Sequence, residues 1–195
     1  MKTLLRRCSL FVALLAPLSA FAHPGHDGHD FTWDFSAGFA HPLTGVDHLL
    51  AMIAVGFWAA QLGGRARWLV PSAFVAAMIG GAALGRAGLA FSGLEQLIAA
   101  SVLVLGLLVA TAARVPLAAS TALVGVFALF HGFAHGAGMP AAAAALQFGL
   151  GFVVATALLL AAGLALGQSS TRLPARAVKL TGFAIAACGA VLFAS

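Results

Sequence analysis

The chain has 195 residues, 62% of them hydrophobic and only 8% charged, with ten Lys and Arg against five acids and a formal charge of +5. An ordinary soluble domain carries about 25% charged residues, and a chain this short cannot hide so much apolar surface in a water-soluble core. The basic residues are scattered between apolar stretches, so the charge reflects membrane topology rather than a nucleic-acid surface.

Lys2, Arg6 and Arg7 precede a short apolar run, Leu10 to Leu18, and Ala20-Phe21-Ala22 supplies small residues at both positions that signal peptidase reads. That run is shorter than the ~20 residues a span needs. The expectation is a cleavable secretory signal peptide over 1–22, with His23 as the mature N-terminus outside the cytoplasm. Cys8 then leaves with the signal peptide and Cys188 stays in the last apolar stretch, so no intramolecular disulfide is expected. Residues 23–35 begin His23-Pro24-Gly25-His26-Asp27-Gly28-His29-Asp30. This is a metal-collecting tail or a flexible polar one, with His23, His26 and His29 as its candidate ligands. Pro24 has no N–H to lose, which blocks a square-planar site built from consecutive backbone nitrogens.

Six apolar spans follow, over 36–62, 68–86, 94–112, 116–137, 141–167 and 176–194, all rich in Ala, Leu, Val and Gly. Lipid leaves every backbone group to be satisfied internally, and spans this long and continuously apolar do not read as the ~10-residue alternating strands of a barrel. The fold class is therefore all-α: a polytopic membrane protein, a bundle of about six transmembrane helices over 36–195. With His23 outside, the loops after spans one, three and five are cytoplasmic. They carry Arg65 and Arg67, Arg114, and Arg172, Arg176 and Lys179, against Arg86 alone on the other side. The positive-inside rule agrees with the signal peptide, and both mature termini fall outside. Gly81 and Gly85, Gly132 and Gly136, and Gly163 and Gly167 are small-xxx-small pairs that let helix backbones approach closely.

Span one opens with His41-Pro42-Leu43-Thr44-Gly45-Val46-Asp47-His48. On a continuous helix His41 and His48 share a face, and Asp47 lies about 100° round from His48. Pro42 offers an alternative, in which His41 sits on the entry turn. An acid inside a span is expensive and normally marks a function. Span four carries Phe130-His131-Gly132-Phe133-Ala134-His135-Gly136. His131 and His135, at i and i+4, can offer two imidazoles to one metal, and the glycines clear space for a partner helix. His131 lies about 22 Å along span four at ~1.5 Å per residue, which brings it to the outer half, level with His41 and His48. Four imidazoles and a carboxylate suit nickel, cobalt, zinc or copper, and suit magnesium and calcium poorly. Glu95, the sole Glu, opens span three on the same side, either as a further acid of the site or as a helix-start residue favoured by the macrodipole. The chain has no nucleotide-binding glycine loop and no Gly-x-Ser-x-Gly elbow, so nothing suggests nucleotide hydrolysis or a covalent nucleophile.

These motifs resemble the HupE/UreJ family of hydrogenase and urease accessory membrane proteins, which are nickel or cobalt permeases. The family pattern His-Pro-x-x-Gly-x-Asp-His falls on His41, Pro42, Gly45, Asp47 and His48. The pattern Phe-His-Gly-x-Ala-His-Gly-x-Glu falls on Phe130, His131, Gly132, Ala134, His135 and Gly136, and the likeness covers nearly the whole mature chain. The resemblance implies a metal role for His41, Asp47, His48, His131 and His135. It implies a bacterial inner-membrane, multi-pass permease that carries Ni²⁺, or Co²⁺, for hydrogenase or urease maturation, is not an enzyme, and partners the cation and the lipid bilayer. No nucleic acid or nucleotide enters this reading, and the oligomeric state is left open. The chain departs from the pattern at Gly138, where the family has Glu. Glu95 then substitutes for the missing acid, or the metal preference shifts, or transport is impaired. The competing readings are a non-transporting metal-binding accessory or sensor, and a membrane metalloenzyme, which would need an open coordination position and a general base.

Overall fold

A computed structural model describes residues 33–140 and 144–195. The expected signal peptide and the histidine tail with His23, His26 and His29 lie outside the described residues. The described residues form α1 (Phe35–Thr44), α2 (Val46–Leu62), α3 (Ala66–Arg86), α4 (Leu94–Thr111), α5 (Leu117–Gly138), α6 (Ala145–Ser169), a 3₁₀ turn (Ser170–Arg172) and α7 (Ala175–Ala194), with no strand among them. Helices α3, α4, α5 and α7 are each long and apolar enough to cross a bilayer, as is α6 with the 3₁₀ turn, and α1 and α2 pass the same test together. The chain is a multi-pass, all-helical membrane protein. Outward-facing side chains such as Trp68, Ile79, Leu146, Leu150 and Val191 are large, apolar and exposed, the arrangement that lipid as solvent requires.

Five of the six expected spans coincide with single helices to within four residues at either end. The first does not. Its two halves are bent by 79° at Gly45, so His41 and His48 do not share one helix face. Asp34 starts α1 by accepting a hydrogen bond from the Ala37 N–H at 2.9 Å. Pro42 lies inside α1 and does not delay its start. It has no N–H to bond back one turn, which weakens the helix just before the break. Gly45 ends α1 in an extended conformation (φ −77°, ψ 114°) and its carbonyl, accepting from Leu49 N–H, starts α2. That backbone conformation is open to any residue, so the glycine is there for space. A Cβ on Gly45 would stand 3.0 Å from Asp47 Oδ1 and 3.1 Å from His48 Nδ1.

The bundle is assembled by glycine contacts. Added Cβ atoms on Gly81 and Gly85 of α3 would run into the backbone of Leu129 and Phe133 of α5. Those on Gly132 and Gly136 would run into Met78 and Ala82 of α3. The matching increments make α3 and α5 parallel neighbours in backbone contact. Gly163 and Gly167 of α6 meet Ile53 and Phe57 of α2 in the same parallel sense, and Gly56 of α2 meets Leu160 of α6. Gly106 of α4 against Ala186, and Gly189 of α7 against Leu103, make an antiparallel pair. Close backbone approach is what binds helices in lipid, where apolar burial supplies little driving force between them. The three small-xxx-small pairs expected from the sequence all lie in these contacts.

Helix α2 runs through the middle, with Met52, Val55 and Trp58 fully buried. At its Arg-bearing end Trp58 Nε1–H donates to the Ala113 carbonyl at 3.0 Å and Gln61 Nε2–H donates to Val109 O at 3.1 Å. Arg114 in turn donates to Leu62 O at 3.2 Å. These bonds tie α2 and α4 together where both helices end.

Candidate metal site

The break at Gly45 decides the site. It turns α1 back so that His41, on α1, faces His48, on the first turn of α2, with ring centroids 5.6 Å apart. Helix α1 is held there by Gly38 and Gly151, whose missing side chains let α1 and α6 touch backbone to backbone. Helix α5 supplies His135, with its ring 4.6 Å from His41 and 4.7 Å from His48. One nitrogen from each of His41, His48 and His135 lies within 4.8 Å of the others. Such a triangle can contract onto one cation with nitrogen–metal distances of ~2.0–2.1 Å.

Asp47 stands behind His48. Its Oδ1 accepts from His48 N–H at 2.8 Å and from His48 Nδ1–H at 2.7 Å. A carboxylate only accepts when ionised, so His48 carries its proton on Nδ1 and turns Nε2 into the cluster. Gly45 keeps this pair unobstructed. Facing it, His48 Nε2 and His135 Nε2 are 2.6 Å apart. Two lone pairs cannot approach so closely, so one hydrogen lies between them. A cation bound by both rings would take the place of that hydrogen and spread the nitrogens to about 3 Å, given ~2.0–2.1 Å bonds.

His131 is fully buried one turn before His135, with its ring 5.1 Å from His48. It lies outside the close triangle. The glycines beside the α5 histidines face α3, so the imidazoles face α2. Glu95 is exposed on the first turn of α4, outside the triangle as well. Gly138 ends α5 with open space around it.

Two walls of the site were not read from the sequence. Phe152 of α6 packs on His135 (4.6 Å), His41 (5.9 Å) and His48 (6.0 Å), and Phe148 lies 6.1 Å from His41. Their i, i+4 spacing marks one face of α6, but nothing in an apolar span says which face meets the histidines. Beside His135 a cavity of about 350 Å³ opens between α3, α5 and α6, lined among others by Ala82, Gly136, Leu146 and Val153. Beyond His131, toward the Arg-bearing end, Val55, Phe74 and Val124 are fully buried.

No solved structure matches the chain significantly. The chain is similar to Protein HupE of Rhizobium leguminosarum bv. viciae, with 44% identity over 181 residues, covering 89% of this chain and 93% of that protein. The family described as HupE / UreJ protein matches over residues 11–192, a range that includes both histidine motifs and every helix that builds the cluster. With a match of that extent, the chain belongs to the HupE/UreJ family.

Proposed function

We propose that the chain is a secondary permease for Ni²⁺, or Co²⁺, that supplies metal for hydrogenase or urease maturation and performs no catalysis of its own. One observation carries the reading: three imidazoles from three separate helices converge inside a membrane bundle. Polar groups within spans are costly and mark ion pathways. Neutral imidazoles suit borderline transition metals. In this reading His41, His48 and His135 hold the cation, Asp47 orients and charge-balances His48, and His131 lies next along the interior. The protein sits in the bacterial inner membrane with both mature termini periplasmic. The tail bearing His23, His26 and His29 gathers the ion on the periplasmic side, and parting of the helices around Phe74 would release it inward.

Proteoliposomes that accumulate ⁶³Ni, with a His48→Ala control that does not, test the proposal. A parent protein that binds the ion without moving it would instead favour the accessory or sensor reading. The same assay decides the role of Glu95. As the compensating acid for Gly138, it predicts a sharp loss of uptake in Glu95→Gln and partial recovery on adding Gly138→Glu. The open space at Gly138 admits that side chain. Unchanged uptake in Glu95→Gln leaves Asp47 as the site's sole carboxylate.

A further inference from the structure

The four histidines are not equivalent. His41, His48 and His135 form the close triangle, while His131 is excluded from it and lies deeper. Its Nδ1 is 3.0 Å from the Phe127 carbonyl one turn earlier on α5. A carbonyl only accepts, so this nitrogen carries the hydrogen. The neutral ring therefore has its lone pair on Nε2. That atom is fully buried, and no group of the described residues hydrogen-bonds to it. Leaving a buried acceptor without a donor costs stability, and a residue that served packing alone would be replaced by an apolar ring at no such cost. The tautomer is set, and the lone pair is set aside, for a ligand that is not part of the chain.

We propose that His131 Nε2 is a second, deeper coordination station, which takes the cation from the triangle in a step separate from capture. The inference rests on the permease reading above. His48 belongs to both stations: its Nε2 faces His135 at 2.6 Å, and its ring lies 5.1 Å from His131. A cation that moves inward exchanges His41 and His135 for His131 while His48 stays bound. It is never bare in a medium of low dielectric, where an uncompensated charge is prohibitive. Phe74, 6.1 Å from His131 at ring centroids, stands at the inner limit of this station.

The test separates binding from passage in the full chain. Purified parent, His131→Phe and His131→Gln proteins are loaded with Ni²⁺, and X-ray absorption counts the bound imidazoles. Parent and His131→Phe are expected to show the same imidazole count and affinities within about threefold, well under the tenfold that 1.4 kcal/mol represents. Retained binding also reports that the variant is folded. Uptake into proteoliposomes is expected to fall more than tenfold in His131→Phe and to recover partly in His131→Gln, whose amide oxygen can reach the Nε2 position. A lower imidazole count in His131→Phe would make His131 a primary ligand and overturn the proposal. Parental uptake in His131→Phe would make it a structural residue and overturn it equally. Failure of the permease reading is a different result: the parent itself binds Ni²⁺ and transports none, which removes both.

Discussion

The Asp47–His48 pair shows how one side chain can set another's chemistry. The carboxylate fixes the imidazole tautomer, aims Nε2 inward and supplies a negative charge beside the cluster. Such outer partners are worth about 10–100-fold in metal affinity. Asp47→Asn is accordingly expected to weaken Ni²⁺ binding about 10–100-fold while the protein stays folded, as isothermal titration and thermal unfolding would read. The hydrogen shared by His48 and His135 leads to a second expectation. A cation that binds both rings must displace it, and a neutral His135 keeps it by moving it from Nε2 to Nδ1. Titrations near neutral pH in buffers of different ionisation enthalpy are therefore expected to show little net proton release per ion. Release of about one proton per ion would mean that one of the two rings is charged before the cation enters.

At the scale of elements, glycine in this bundle is a packing residue far more often than a flexible one. Gly132 and Gly136 follow the two α5 histidines and press against the α3 backbone at Met78 and Ala82. They thereby set which way His131 and His135 point. A methyl group at either position meets backbone that cannot yield without separating the helices. Gly136→Ala is expected to destabilise the bundle by about 1–3 kcal/mol, the range for overpacking a tight interior, with weaker Ni²⁺ binding as His135 moves. Gly138→Ala, three residues later in open space, is the matched control and is expected to change neither. Unfolding in mixed detergent would compare the two. The α1–α2 break follows the same logic, since Gly45 adopts a conformation any residue can take and is required by the atoms in front of it.

For the whole molecule, the basic residues among the described ones other than Arg86 gather at the end opposite the cluster: Arg65, Arg67, Arg114, Arg172, Arg176 and Lys179. If that end is cytoplasmic, the histidine cluster lies in the outer half and Ser195 lies outside, since α1 and α2 together count as one span. A C-terminal alkaline phosphatase fusion is expected to be active and a C-terminal green fluorescent fusion dark. The reverse pattern would invert the bundle and make the cluster an exit-side site.

The helical bundle, its span boundaries, the glycine seams and both histidine motifs were legible in the sequence. Each rests on a local property: apolar length, a small residue at fixed spacing, or a polar group in a place where lipid penalises it. The convergence of the motifs was legible only as equal depth. Depth alone did not distinguish His135, which joins His41 and His48, from His131, one turn below. In the sequence, 36–62 reads as one span, continuous or with His41 on its entry turn, because an extended glycine at 45 leaves no trace in composition. The fold supplied the bend, and with it the inward turn of His41. It likewise supplied Phe148 and Phe152 as walls, since only the packing of α1 and α2 on α6 selects which face of an evenly apolar helix meets the imidazoles. Composition along one chain determines what can cross the membrane. Which side chains meet there depends on backbone contacts between residues far apart in the chain, and those exist only once the helices have packed.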